Sequence, residues 1–261
     1  VTIIIRPETE ADHRAVELLT RDAFWGSDSP RCTEHLLVRR LRDDPAFLPE
    51  LDMVAEVDGE VVGSILWARA RVVGPDGEHE ITTFGPVSVR PDAQGTGVGG
   101  ALVRHTIELA GRLGHRAVAI YGHPDYYLRF GFVRGADVGI TAAGGETFDA
   151  LQVRELVPGG LDGVRGELAE PEVYSVDPAD AEAFDLAEMP AKEPAELTPL
   201  EALRATVPGA VVDALVATGL PNAQLLRRLS VREVEALPGV GVAGRAAVAE
   251  WFRSAGLPWG P

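Results

Sequence analysis

The chain has one cysteine, Cys32, in 261 residues, so no internal disulfide can brace it. Its stability has to come from packing, which fits a reducing compartment. Cys32 is expected to have no chemical role, since one thiol falls far short of a thiolate metal cage. Long apolar runs are missing too: nothing approaches the roughly 18 consecutive apolar residues of a bilayer-spanning helix. The opening VTIIIRPETE lacks a basic region followed by an apolar stretch and a cleavage site. A soluble, cytoplasmic protein with no membrane association is the expectation. Positive charge is also scarce, with 24 Lys and Arg against 40 Asp and Glu and a formal charge of −16. Phosphate contacts need clustered cations, so the composition argues against a general nucleic-acid binder and tilts towards a cationic or neutral substrate.

What is present is a globular composition. At 46% hydrophobic residues the chain can build one large core and a smaller second one. VTIIIRPET reads as a strand, and Glu10 to Arg42 carries apolar residues at helical spacing. MVAEVDGEVVGSILWARARVV and EITTFGPVSV are apolar runs split by Asp58-Gly59 and by Gly74-Pro75-Asp76-Gly77, so Met53 to Val89 is expected to be a three-stranded antiparallel meander. GVGGALVRHTIELAGRLG changes to a period near 3.6 and predicts a helix stopped near Gly114. AVAIYG follows as a short strand, and PDYYLRFGF as a turn with a short helix. Local hairpins mixed with helices point to α+β, not to a doubly wound sheet.

From Asp177 to Glu196 the composition shifts, with seven acids, one Lys and three prolines, which predicts an extended linker. Thr198 to Pro261 is periodic again and broken by Pro and Gly, as expected of short helices in a small domain. The resulting division is 1–176, an acidic Pro/Ala-rich linker at 177–197, and 198–261.

The segment VSVRPDAQGTGVGGAL reads as a strand, a tight turn and a helix start. Glycines at 95, 97, 99 and 100 let the backbone approach a ligand, while the unpaired amides of the first helical turn face an anion such as a diphosphate. The dinucleotide fingerprint GxGxxG can be written on Gly95, Gly97 and Gly100, but three features oppose it. Pro91 and three further residues separate the strand from the first glycine, the preceding strands are hairpin-paired, and AVAIYG ends without a carboxylate for a ribose. The P-loop pattern fails for want of Gly-Lys-Ser/Thr.

Gln94-Gly-Thr-Gly-Val-Gly99 resembles the Q/R-x-x-G-x-G/A signature of the GCN5-related N-acetyltransferase (GNAT) superfamily, placed after a V-x-V-x-P strand end. FLPELDMVAEVDGEVVGSIL, FGPVSVRPDAQGTGVGGAL, YGHPDYYLRFGF and FDALQVRELVPGGLDGVRGEL, in that order, resemble the YhbS-like branch over roughly residues 1–176. The resemblance implies a GNAT fold, a mixed, largely antiparallel sheet flanked by helices. It implies acetyl-CoA as cosubstrate, no metal, and transfer of an acetyl group to a primary amine by direct attack on the thioester. The amides of Gln94, Gly95, Thr96, Gly97, Val98, Gly99 and Gly100 would hold the pyrophosphate. Val87, Ser88 and Val89 would pair with the pantetheine arm, and their amides would polarise the thioester carbonyl. Tyr127 matches the tyrosine that meets the CoA sulfur in this superfamily, with Tyr126 as its neighbouring alternative. A phenol of pKa about 10 is an uphill donor to a thiolate of about 8.5, so stabilisation outweighs full proton transfer. Glu80, His123 and Asp125 lie near strand ends, and none is singled out as general base.

SVREVEALPGVGVAGRAAVAEWFRSAGL resembles a helix-hairpin-helix of the kind that the RNA polymerase alpha chain carries in its C-terminal domain, which implies a small all-α domain whose hairpin amides accept a phosphate. Six Arg against five acids from Pro199 onward form no basic stripe, although Arg227, Arg228, Arg232 and Arg245 have the chance to cluster in space. Protein docking or dimerisation through 198–261 is the favoured role, over nucleic acid. The leading functional expectation is an N-acetyltransferase acting on a small-molecule or protein amine. The alternative is a non-catalytic acyl-CoA-binding sensor or adaptor whose helical module docks a protein or nucleic-acid partner.

Overall fold

The computed structural model describes residues 2–255, so the ends of the 1–176 and 198–261 divisions lie outside the described residues. The expected meander forms from β2 (Met53–Val57), β3 (Glu60–Gly74) and β4 (Gly77–Val89), with β1 (Ile4–Pro7) antiparallel to β2. Asp58 and Gly59 both have positive φ, 52° and 83°, the conformation a two-residue hairpin of right-handed twist demands. β5 (Ala117–Tyr121), β6 (Val133–Arg134), β7 (Ile140–Thr141), β8 (Leu151–Glu155) and β9 (Gly166–Ala169) complete a sheet of nine strands among the described residues. Its order is β1-β2-β3-β4-β5-β8-β6, with β9 on β3 and β7 on β9. Only β4 with β5 and β7 with β9 run parallel.

Two features of β4 prepare a cleft. Its register against β3 slips between Ile65 and Trp67, so Gly85 and Pro86 form a bulge. Against β5 it registers only at Thr82↔Val118. Beyond that pair the strands diverge, and the β4 backbone groups facing away from β3 lose their ladder partners.

Helices cover both faces. α3 (Val98–Arg112) buries Val98, Leu102, Val103 and Ile107 on Trp67, Phe84 and Ile120. On the other face, α1 (His13–Phe24) and α2 (Glu34–Arg42) set Val16, Leu19, Val38 and Leu41 against Val54, Leu66 and Ala68.

The expected linker is partly helical. Pro178–Glu188 is α4, with Asp177 as N-cap accepting from the Ala179 amide at 2.8 Å and Pro178 in the first turn. The acids that read as a self-repelling run face arginines far away in sequence. Arg39 meets Glu188 at 2.6 Å, Arg40 meets Asp180 at 2.8 Å and Arg31 meets Glu182 at 3.3 Å. Arg21 donates to Asp185 at 2.9 Å, with both side chains 3–4% exposed. Composition within one window could not reveal this neutralisation. Farther on, Trp25 Nε1 donates to the Glu193 carbonyl at 2.9 Å and the Ala195 amide to Pro30 O at 2.8 Å, which lays the segment on the α1–α2 loop.

The C-terminal helices are α5 (Gly209–Val216), α6 (Val231–Ala236) and α7 (Gly241–Ser254), with 3₁₀ turns at Leu200–Ala205 and Ala223–Arg228. They enclose a core of Leu203, Val212, Leu215, Leu226, Val234, Val248 and Phe252. α6 opens with a capping box between Ser230 and Glu233. Three of the four arginines weighed for a basic cluster have acidic partners: Arg227 and Arg228 each bond Asp28 at 2.7 Å, and Arg245 meets Glu235 at 2.9 Å. Cys32 is buried, its Sγ 3.3 Å from His35 Nδ1, and burial pushes its thiol up to about 12.

Candidate active site

The turn between β4 and α3 is built from two kinds of glycine. Gly95 and Gly97 have φ of 73° and 95°, where an L side chain is strained, and a Cβ on either would meet nothing. Conformation is what they supply. Gly99 and Gly100 are helical, and a Cβ there would sit 3.3 Å from Val89 Cγ2 and 3.4 Å from the Arg104 guanidinium; close approach is what they supply. Gly97 is the N-cap of α3 and offers no side-chain oxygen, so the first amides of the helix keep their anion-binding capacity. The Gln94 side chain donates through Nε2 to Val89 O at 3.1 Å and ties the turn to the strand end.

A cleft of about 520 Å³ opens at this turn, within the usual range for ligand sites. Of the residues expected at the site, Val87, Val89, Gln94, Gly95, Gly97, Val98, Gly99, Gly100 and Tyr127 line it. Two do not. Ser88 is buried on the opposite sheet face, where Thr20 Oγ1 donates to its Oγ at 2.9 Å, and Thr96 turns its hydroxyl to Ala93 O at 2.6 Å. Only their backbones remain candidates for contact.

Sequence reasoning missed Arg104 and Arg129, which also line the cleft. Neither forms an ion pair among the described residues, in a chain of charge −16. Arg104 lies over Phe130 at 5.6 Å and Arg129 over Tyr126 at 4.7 Å, so aromatic faces hold both guanidinium groups in place without neutralising them. The signal for Arg104 was its place one turn after Gly100 on the same helix. Replacing both arginines by Ala is expected to weaken the binding of a diphosphate-bearing ligand at this cleft roughly 10²-fold or more, from the loss of charge-assisted bonds worth about 1.5–3 kcal/mol each. Calorimetry at two salt concentrations checks this, and the salt dependence should flatten with the arginines gone.

Tyr127 packs its ring among Phe84, Phe132 and Tyr126 at 5.8, 5.6 and 5.0 Å. A Cβ on Gly122 would lie 2.4 Å from that ring, so the glycine is needed for it to reach β5. Burial, then the neighbouring Tyr126, hold the Tyr127 phenol well above its ordinary value. It is therefore protonated at neutral pH. Tyr126 is also raised by burial, and its hydroxyl lies close to Gly99.

The three base candidates are dispersed. Glu80 is exposed on β4 opposite Arg71. Asp125 accepts from the Val231 amide at 2.8 Å, which makes it a cap for α6. His123 accepts from the Asp125 amide at 3.3 Å through Nδ1, and burial lowers its pKa. The loop bearing Tyr127 is thus held from the C-terminal helices, a link reinforced where Ser230 Oγ donates to Asp149 at 2.6 Å.

Residues 50–134 match the family described as Acetyltransferase (GNAT) domain. An uncharacterised N-acetyltransferase, YjhQ of Escherichia coli strain K12, is 38% identical over 96 residues, 37% of this chain and 53% of that protein, so the match spans about half the length of that curated relative. The structure of the GNAT family N-acetyltransferase YhbS from Escherichia coli in complex with CoA superposes with a TM-score of 0.57 at 27% identity, over 67% of this chain and 92% of that one. A GNAT family acetyltransferase from Brucella melitensis in complex with acetyl-CoA gives 0.54 at 28% identity, over 67% and 99%. The chain therefore carries a GNAT fold, with a mixed sheet and flanking helices.

Proposed function

We propose that this chain is an acetyl-CoA-dependent N-acetyltransferase acting on a primary amine. The observation that carries the proposal is the junction of a splayed β4–β5 pair with an uncapped, glycine-rich helix start and two unpaired arginines in one cleft. That donor set suits a nucleotide diphosphate: amides from Gly95 to Gly100 and the Arg104 and Arg129 guanidinium groups would hold the phosphates. Acetyl-CoA supplies the activated thioester. The unpaired backbone N–H groups of β4 beyond Thr82 would hydrogen-bond the acyl arm and polarise its carbonyl, acting as preorganised donors. Tyr127, protonated and fixed by its aromatic cage, would hydrogen-bond the departing sulfur. The raised phenol is a weak acid, so stabilisation of the thiolate is its main contribution.

The proposed organisation is a transferase domain to about residue 176, a partly helical connector, and a helical module from 198. Asp28, Asp125 and Asp149 of the transferase domain are already bonded to that module. This favours docking within the chain over nucleic acid, because it consumes Arg227 and Arg228. Among the described residues, no helix is long and apolar enough to cross a membrane.

The test is thiol release from acetyl-CoA across primary amines, from alkylamines of pKa about 10 to peptide α-amines of about 8, run beside calorimetry with CoA. Turnover on at least one amine is expected. Binding without release would favour the sensor reading, and absence of CoA binding would sink both.

A further inference from the structure

Glu170 follows β9 and lies across the sheet from the cleft. Its carboxylate accepts from Thr83 Oγ1 at 3.5 Å and has no ion-pair partner among the described residues. Thr83 precedes Phe84 on β4, and alternate residues of a strand point to opposite faces. Phe84 packs against Tyr127, so Thr83 and Glu170 occupy the other face. β5 repeats the arrangement. Gly122 abuts the Tyr127 ring, while Tyr121 beside it feels the charge of Glu170. Adjacent residues of the two diverging strands thus set Tyr127 on one side of the splay and Glu170 on the other.

The Glu170 side also has a surface suited to an organic cation. Tyr121 and Phe148 stack at 5.7 Å with 29° between their planes, and both rings are exposed although large and apolar. Exposed rings, one of them within the field of an unpaired carboxylate, attract an alkylammonium group through cation–π and Coulomb terms. The overall charge of −16 adds long-range attraction for such a substrate.

We infer that Glu170, with the stacked rings of Tyr121 and Phe148, receives the acceptor as its ammonium ion and acts as the general base that deprotonates it. The inference rests on the transferase reading and names the substrate class for it, a cationic primary amine. In the first step one N–H bond of the ammonium breaks, and the proton passes to the Glu170 carboxylate. The neutral amine then forms the C–N bond through its lone pair as the C–S bond breaks and sulfur takes the bonding electrons. The proton lost by that nitrogen ends on sulfur, giving the amide and free thiol, while the Glu170 proton leaves to solvent.

Burial raises the Glu170 carboxyl to about 7, against a smaller lowering by the Thr83 bond. The groups facing it are Tyr121 from β5 and Tyr174 from the turn Glu172–Tyr174, both raised by burial, Tyr121 to about 12. Neither phenol ionises near neutrality, so the acid limb of kcat/KM belongs to Glu170: activity rises as pH passes upward through about 7.

The experiment uses the full chain, acetyl-CoA and the fastest amine of the panel. Glu170→Gln is expected to lower kcat/KM roughly 10²- to 10⁴-fold, abolish the acid limb and leave calorimetric CoA affinity within about twofold. Thr83→Val removes the bond that favours the charged form, so its acid limb should persist and move to higher pH, a shift that a merely structural role would not produce. A Glu170→Gln enzyme within threefold of the unmodified protein, or one that keeps the acid limb, overturns the inference and leaves the transferase reading standing. An unmodified protein that binds CoA but releases no thiol with any amine overturns both. Should Glu170→Gln fail to fold, the Thr83→Val profile decides, and an unmoved limb counts against the inference.

Discussion

Replacing Asp185 by Ala is expected to lower the stability of the chain by about 3–5 kcal/mol, the cost of leaving a buried charge uncompensated. Arg21 is the charge in question. Its side chain is 4% exposed, its guanidinium lies 4.5 Å from the Trp25 ring, and Asp185 is the carboxylate that meets it. Arg31 would lose its contact with the same carboxylate, at 3.2 Å. The pair joins α1 to α4, helices more than 150 residues apart in sequence, so the loss should also free α4 from the α1–α2 face. Urea unfolding with an unchanged m-value would report a true stability change. The double replacement Arg21→Met with Asp185→Leu should recover much of the loss, because an apolar pair of similar volume avoids the desolvation penalty. A single variant within about 1 kcal/mol of the unmodified protein would mean that water reaches Arg21 in solution.

Tyr127→Phe is expected to reduce kcat by roughly 10²-fold, the lower end of what a positioned proton donor contributes, with CoA affinity and melting temperature little changed. The ring is retained, so its contacts with Phe84, Phe132 and Tyr126 persist; only the hydroxyl is lost. Because burial raises that phenol, the alkaline side of the profile should not show its ionisation below the point where other groups titrate. Tyr126→Phe is the comparison. Its hydroxyl lies near Gly99 at the start of α3, so its removal should disturb cosubstrate affinity more than turnover. Full turnover in Tyr127→Phe together with collapse in Tyr126→Phe would transfer the donor role to Tyr126.

The region from Met53 to Arg112 was legible in the sequence because its determinants are local. Alternation at period 2, Asp58-Gly59 at a left-handed hairpin and the change to period 3.6 after Gly97 are written in neighbouring residues. The glycine turn was legible for the same reason, since glycines spaced at 95, 97, 99 and 100 stand where the chain takes a positive φ or opens a helix. Arg104 and Arg129 needed the tertiary structure. Their value lies in facing the cleft without a carboxylate, and an unpaired state cannot be seen in composition.

The acidic stretch from Asp177 to Glu196 shows where local reading fails. Inside its own window the charge excess disfavours order, yet four arginines contributed by α1, α2 and the loop between them oppose those acids and turn Pro178–Glu188 into a packed helix. By itself the sequence determined the strands, the helix start and the glycine-rich turn before it, because each depends on spacing along the chain. Only the tertiary structure decided which charges are paired, which arginines face the cleft without a carboxylate, and that Glu170 and Tyr127 lie on opposite faces of the sheet. Those properties depend on distances between residues remote in sequence, which one-dimensional spacing does not encode.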